Sequence, residues 1–202
     1  MTEQELKDLE MVKQNGHALQ FVKNQTEEIC LAAVKRDADA LWRVENQTEA
    51  ICLAAVTEDC WALEYVENQT EEICLAAVKE DGGALKYVKN QTELICLEAV
   101  KQTGLALEYV KNQTEEICLA AVKRDADALC HVKNQTEQVC LAAVTEDCWA
   151  LYYVENQTEN IVLEAVKNTN GRVICCISDD EIYFSISDYK NLDQYVNNPF
   201  LF

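Results

Sequence analysis

The sequence contains no long uninterrupted run of apolar residues and no basic segment that precedes one. A membrane-spanning helix needs about 20 consecutive apolar residues, and a secretion signal needs a basic stretch before a shorter apolar one. The N-terminal stretch MTEQELKDLE fits neither pattern. We therefore predict that the protein does not bind a membrane, is not secreted and is cytoplasmic.

The chain is also poor in the residues from which catalytic and metal sites are built. It has only two histidines, His17 and His131, and no glycine-rich phosphate loop, His/Cys metal-ligand spacing or catalytic-triad motif. Cys130 and His131 are adjacent, but neighbouring residues on a helix point about 100° apart, which does not suit a thiol nucleophile and its base. We predict no enzymatic activity, no metal and no cofactor.

Basic residues are scarce relative to acidic ones. The chain has 17 Lys and Arg residues against 36 Asp and Glu residues, and its formal net charge of −19 is spread along its length. A field of this sign repels nucleic-acid phosphates, favours basic partners and keeps a protein soluble. The composition therefore predicts no direct binding of nucleic acid.

Cysteine is abundant, but its pattern argues against disulfides. The chain has 11 cysteines, an odd number, and six of them recur every 22 residues inside apolar runs such as ICLAAV: Cys30, Cys52, Cys74, Cys96, Cys118 and Cys140. Equivalent positions on packed helices lie about 9 to 10 Å apart, whereas a disulfide requires Cα atoms within about 7 Å. We interpret these cysteines as small core residues in a reducing compartment.

The triplet NQT recurs at the same period of 22 residues, beginning at Asn24, Asn46, Asn68, Asn90, Asn112, Asn134 and Asn156. It is a glycosylation acceptor in secreted proteins, but Thr2 and Ser178 occupy the Asn position at the two ends. A Glu follows three residues later in every case, as in a capping box. The pattern predicts that a helix begins at each triplet, with the Asn column as its N-cap.

A second helix start follows in each repeat, at a column of capping residues: Asn15, Asp37, Asp59, Asp81, Thr103, Asp125, Asp147 and Thr169. The first helix, from about 25 to 36 in the second repeat, is apolar on most sides. The second is short and buries an Ala, a Leu and a Val. Segments that start at 56 and 144 are nearly identical over 16 residues, so four repeats form a larger cell that occurs twice.

The predicted fold class is all-α, a right-handed α-α solenoid of about nine 22-residue two-helix repeats. We predict one domain over residues 1–202, with an N-terminal capping unit at 1–23, seven regular repeats at 24–177 and a degenerate C-terminal cap at 178–202. The final PFLF is either a plug over the last core layer or an exposed hook, and the plug is favoured.

This repeat resembles the family known as domain of unknown function 4116, which is abundant in large DNA viruses of amoebae and occurs in some protists. Repeat cores such as EEICLAAVKEDGGALKYV at 71–88 contain the pattern AV-K-x-D/N-G-x-AL-x-Y that is typical of the family. The resemblance covers essentially residues 10–175, although several repeats have Ala or Cys at the Gly position. It implies a helical-repeat protein of viral or protist type, located in the host cytoplasm if viral, and it implies no catalytic residues.

In a repeat array the constant columns hold the fold, and the variable columns carry specificity. Two variable columns on the short helix contain large apolar residues among polar ones: Trp42, Trp61, Leu105, Trp149 and Tyr152. We predict that Trp42 with Trp61, and Trp149 with Tyr152, form two exposed clusters that bind a protein. The alternative is that these rings fold over neighbouring helices as local packing.

The predicted function is a non-enzymatic scaffold for protein–protein interaction. Its partner is a protein, a basic one being favoured by the acidic surface, and the chain itself is a monomer or weakly self-associating. Two alternatives remain open. One is a self-associating structural component of a virus particle or viral factory, and the other is an acidic mimic that binds a basic nucleic-acid-binding protein.

Overall fold

The computed structural model describes residues 1–169 and 176–177, and these residues contain helices and no β-strand. The described α-helices are α1 Glu3–Gln14, α2 Glu27–Arg36, α3 Glu49–Glu58, α4 Glu71–Glu80, α5 Glu93–Gln102, α6 Glu115–Arg124, α7 Glu137–Glu146 and α8 Glu159–Thr169. Short helices follow the first seven of them: η1 Gly16–Phe21, η2 Ala38–Arg43, η3 Cys60–Tyr65, η4 Gly82–Tyr87, η5 Gly104–Tyr109, η6 Ala126–His131 and η7 Cys148–Tyr153. The predicted all-α fold of repeated helix pairs is confirmed.

The short helix of each repeat is a 3₁₀ helix of six residues. In η3, for example, the Ala62 N–H donates to the Asp59 carbonyl at 3.0 Å and the Val66 N–H donates to the Leu63 carbonyl at 3.2 Å. Bonds from each residue to the third one before it are typical of such brief segments, which wind three residues per turn. This winding decides which side chains of the short helix face outwards.

The chain divides into two compact units, Met1–Gln102 and Thr103–Phe202. In the first unit, α1 to α5 pack in order against one another, η1 to η4 do the same, and each α-helix also packs against short helices. In the second unit, α6 to α8 and η5 to η7 repeat this arrangement. The predicted domain boundaries and the right-handed sense stay predictions. The predicted C-terminal cap at 178–202, with Ser178 and PFLF, lies outside the described residues.

Constant columns form the core of both units. The columns of Ile29 and Val34 in the regular α-helices are almost completely buried, as is the column of Leu41 in the short helices, and these three residues are each 0% exposed. The six periodic cysteines are buried and form no disulfide, which confirms their interpretation as core residues. Burial raises the pKa of the Cys30 and Cys140 thiols to about 11, because a thiolate is poorly solvated there.

The predicted N-cap column is wrong for the regular repeats. Helix α2 begins at Glu27 and its N-cap is Thr26, whose hydroxyl accepts from the Ile29 N–H at 3.4 Å. Asn24 lies two residues earlier, in the preceding turn, where its backbone carbonyl accepts from the Thr26 N–H at 3.0 Å. The Thr of the triplet supplies the capping oxygen, so the Asn is not needed for it.

The first helix is the exception, and there the predicted capping box is confirmed. The Thr2 hydroxyl accepts from the Glu5 N–H at 3.2 Å, and the Glu5 carboxylate accepts from the Thr2 N–H at 2.7 Å. In this repeat Gln4 stands where the regular repeats have Thr. Because Gln is a poor capping residue, the helix starts two residues earlier.

The Gln of the triplet joins consecutive repeats. The Gln47 amide Nε2 donates to the Tyr65 carbonyl of the next repeat at 2.9 Å and to the Leu41 carbonyl at 3.3 Å. Its Oε1 accepts from the Glu67 N–H at 3.0 Å and lies 3.7 Å from the Cys52 thiol. These partners include the backbone groups that the end of a short helix leaves without intrahelical bonds. Gln135 makes the same set of contacts in the second unit.

The Glu of the predicted capping box also acts between repeats. Glu27 is the first residue of α2, and its carboxylate accepts from the Thr48 hydroxyl of the next repeat at 2.8 Å. Thr70 with Glu49, and Thr136 with Glu115, repeat this bond at 2.9 and 2.7 Å. The triplets before α3, α4 and α7 therefore cap their own helix through Thr and link two repeats through Gln and Thr.

The second predicted capping column is confirmed for η1 and η3, whose N-caps are Asn15 and Asp59, and for η4, η6 and η7. Asp37 precedes η2 but makes no side-chain cap bond there, and its carboxylate instead accepts from the Gly16 N–H of the preceding repeat at 2.6 Å. A Cβ at Gly16 would collide with the Ala33 carbonyl and with Asp37. Thr169 is the last residue of α8.

Candidate protein-interaction surface

Within each unit, the winding of the short helices places the predicted site residues on an outward ridge. In η2 the first, third and fourth positions, Ala38, Ala40 and Leu41, are buried. Residues three apart eclipse one another in a 3₁₀ helix, so the second and fifth positions, Asp39 and Trp42, stand one above the other on the exposed side. The same two positions in each short helix are the variable columns that the sequence singles out.

All five predicted site residues are exposed. The exposed fractions are 50% for Trp42, 42% for Trp61, 41% for Leu105, 48% for Trp149 and 75% for Tyr152. Side chains of this size and polarity are more often covered, and exposed apolar residues that occur together mark interaction surfaces. That these residues bind a partner stays a prediction.

In the first unit the rings on the ridge have intramolecular partners. The Arg43 guanidinium carbon lies 3.2 Å from the centre of the Trp42 ring system. Trp61 meets Tyr87 edge-on at a centroid distance of 6.0 Å, and Lys86 Nζ lies 5.5 Å from the Tyr87 ring centre. Trp42 and Trp61 are not in ring contact with each other. Trp61 is therefore partly packed against a neighbouring repeat, as the alternative of local packing predicts, because its indole also lies close to Gly83.

In the described part of the second unit, the residues of the ridge make fewer ring contacts. Tyr152 meets Tyr153 edge-on at a centroid distance of 5.4 Å. The Trp149 backbone N–H donates to Asp147 at 2.9 Å, but its indole makes no ring or cation contact with any residue that the structure describes. Trp149 and Tyr152 share the ridge of η7, one turn apart, without ring contact between them.

A carboxylate lies near a tyrosine at equivalent places in the two units. The negative charge of Asp39 raises the pKa of Tyr65 in the next repeat, with burial as the second cause. Asp127 does the same to Tyr153, again ahead of burial. Both pairs join neighbouring repeats within one unit, and the members of the two pairs are 88 residues apart in sequence.

The groups that resemble catalytic residues lack activating surroundings. Cys130 is exposed, and partial burial followed by Asp127 raises the pKa of its thiol, whereas an activated thiol has a lowered pKa. His17 is exposed and His131 is half-buried. Among the residues that the structure describes, no group of three or more His, Cys, Asp or Glu side chains is arranged to hold a metal ion.

The sequence did not single out four residues that shape this surface, namely Arg43, Lys86, Tyr65 and Tyr153. A signal for the first two was present, because they are the only Lys or Arg residues in the described short helices. Tyr65 and Tyr153 share a column with two other tyrosines, a Phe, Arg43 and a His, and the sequence does not set them apart from the other tyrosines.

A buried constant framework with a variable exposed ridge, repeated in successive helix pairs, defines a helical-repeat protein. Residues 70–114 and 92–135 match the family described as Domain of unknown function (DUF4116), and the two overlapping matches confirm the resemblance to this repeat family. Neither the comparison with curated proteins nor that with solved structures gives a match. In the part of the chain that the structure describes, every helix is too short or too polar to cross a membrane.

Proposed function

We propose that this protein is a non-enzymatic scaffold that binds a protein partner through the ridge of its short helices. The supporting observation is the contrast between the two kinds of column. Framework residues such as Leu41 and Leu63 are fully buried, whereas the large apolar residues of the variable columns are 41 to 75% exposed. Trp and Tyr are the residues that most often dominate the energy of protein–protein interfaces.

The partner proposed is a basic protein, because the chain has a formal net charge of −19. Direct binding to nucleic acid or to a membrane is not part of the proposal. We place the function in the cytoplasm, which is that of a host cell if the source is a virus of the kind the family resemblance implies. The chain acts as a monomer or with weak self-association.

The test is an affinity purification from amoebal or other protist lysate followed by mass spectrometry. Wild type is compared with a variant in which Trp42, Trp61, Trp149 and Tyr152 are all replaced by Ala. A matched control carries Glu28→Ala, Glu72→Ala and Glu116→Ala, which are exposed positions on α2, α4 and α6. Circular dichroism verifies that all three proteins retain their helices.

We expect a protein that wild type and the control capture and the four-fold variant does not. Identical proteins on all three baits would contradict the role of the ridge. Capture of nothing specific by any bait, together with light scattering that grows with concentration, would support the alternative of a self-assembling structural component.

A further inference from the structure

The three short helices that the structure describes in the second unit carry acidic and aromatic residues but no Lys or Arg. Their sequences are GLALEY, ADALCH and CWALYY, in which the charged residues are Glu108 and Asp127. Both carboxylates are exposed. This face of the second unit therefore presents negative charge with no cation of its own on the same elements.

Asp127 is the carboxylate that is open to a partner. The neighbouring Asp125 and Asp147 are occupied as caps, because they accept from the Asp127 and Trp149 N–H groups at 3.1 and 2.9 Å. The Asp127 carboxylate itself makes no hydrogen bond or ion pair with the residues that the structure describes, and it lies near the Tyr153 phenol of the next repeat. Tyr153 is half-buried, and its ring meets the exposed Tyr152 ring edge-on at a centroid distance of 5.4 Å, so the Asp127 charge lies close to a pair of rings of which one is exposed.

The first unit shows how such a face binds cations. Its four short helices carry Asp39 and Glu64 but also Arg43 and Lys86, so their acidic and basic residues are equal in number. Both cations lie over rings of the same face, Arg43 over Trp42 and Lys86 near Tyr87. His131 and Cys130 stand at the positions that are equivalent to Arg43 and Trp42 in the second unit.

We propose that Asp127, Trp149, Tyr152 and Tyr153, the second-unit ridge, bind an arginine- or lysine-rich segment of a protein partner. A guanidinium or ammonium group lies against the exposed face of Tyr152 or Trp149 while its charge faces Asp127. In the first unit, rings of the short helices are contacted by the protein's own Arg43 and Lys86. The inference rests on the proposed scaffold function and adds the chemistry of the partner and the copy of the surface that binds it.

The probe is a synthetic peptide, (Arg-Gly-Ser)₄, and its matched control replaces every Arg by citrulline, which keeps the shape and removes the charge. Binding is followed through the three indole N–H signals in a ¹H–¹⁵N spectrum of the full chain, assigned with single Trp→Phe variants. This readout separates binding at one tryptophan from diffuse attraction to an acidic protein, which would be screened by salt and shared by all three signals.

We expect a saturable shift of the Trp149 signal with the arginine peptide, little shift of the Trp42 and Trp61 signals, and none with the citrulline peptide. Asp127→Asn weakens the binding about fivefold or more, since it removes the charge at the ring face. His131→Arg, which introduces the cation of the first unit, weakens it similarly. Asp39→Asn, at the equivalent exposed position of the first unit, is the matched control and leaves the affinity unchanged.

Shifts of equal size at all three indoles, no shift at Trp149, or an unchanged affinity in Asp127→Asn would overturn the inference. The scaffold function fails separately. If a lysate partner is lost from the aromatic variant but its binding is indifferent to Asp127→Asn, the ridge binds a partner of other chemistry. If the lysate partner does not depend on the aromatic residues at all, the scaffold proposal falls with the inference.

Discussion

The two units have the same framework but different surfaces on their short helices. Gln47 and Gln135 make matching bonds, and Asp39 and Asp127 have the same effect on the next tyrosine. On the ridge and beside it, however, Trp42, Arg43 and Glu64 of the first unit correspond to Cys130, His131 and Tyr152 of the second. The ridge residues therefore differ in charge and aromatic content between the two units while the core stays the same, because these residues do not pack into the core.

The largest expected contrast between the units is in thiol reactivity. In the second unit Cys130 is exposed and Cys148 is half-buried, whereas every cysteine of the first unit is buried. A rise in pKa from 9.0 to about 11, as at Cys30 of the first unit, reduces the thiolate present at pH 8 roughly a hundredfold. Because the thiolate is the reactive form, we expect iodoacetamide to modify Cys130 at least about tenfold faster than Cys30.

Peptide mapping by mass spectrometry over a time course measures these rates. Under native conditions the label should appear on the second unit, with Cys130 first, and should reach the first unit only when denaturant is added. Equal early labelling of Cys30 or Cys52 would show that the framework does not protect its thiols. It would also remove this contrast between the two units.

The second prediction tests whether the framework is equally strong in both units. Gln47→Ala and Gln135→Ala each leave a carbonyl and an N–H of the next repeat without their partner. We expect each to lower the free energy of unfolding by about 1–3 kcal/mol, measured by urea denaturation. The neighbouring Asn46→Ala and Asn134→Ala are the controls, and should change it by less than about 0.5 kcal/mol. If an Asn→Ala control lowered the free energy of unfolding as much as the neighbouring Gln→Ala variant, the result would support the prediction that Asn is the N-cap.

The third prediction concerns the Thr cap. Thr70→Ala removes the acceptor for the Ile73 N–H at 3.3 Å and the donor to Glu49 at 2.9 Å, and Thr136→Ala removes the equivalent pair. Loss of such a cap costs about 1 kcal/mol in the free energy of unfolding. Thr→Ser at the same positions retains the hydroxyl and should recover most of that loss. A Ser variant as unstable as the Ala variant would assign the effect to the lost methyl group.

The smallest expected effect is the change in the free energy of unfolding when a tryptophan of the ridge is replaced by Ala. This change should differ between the two units. Trp61→Ala removes an edge-on contact with Tyr87, so we expect a loss of about 0.5–1.5 kcal/mol in the free energy of unfolding. Trp149→Ala, at the equivalent position, removes no ring contact that the structure describes and should stay within about 0.5 kcal/mol. Thermal denaturation of both variants measures the difference. Equal losses would show that the two indoles are packed alike.

Much of the fold could be predicted from the period alone. The 22-residue spacing of Ile, Cys, Ala and Val identified the buried columns, because a residue that is apolar in every repeat faces the same neighbours in every repeat. The exposed ridge was also predicted, from the variability of its two columns. The N-cap could not be chosen correctly, because Asn24 and Thr26 are both good capping residues and local sequence does not decide between them.

The sequence by itself determined the repeat, its core, its net negative charge and the residues available on its surface. Only the tertiary structure decided that Gln47 bonds to the next repeat, that Glu27 accepts a hydrogen bond from the Thr48 hydroxyl, and that the Arg43 guanidinium lies on the Trp42 ring. These contacts depend on how closely successive short helices approach and which rotamers meet. Such information lies in the packing of one repeat against the next, and a repeat read alone does not contain it.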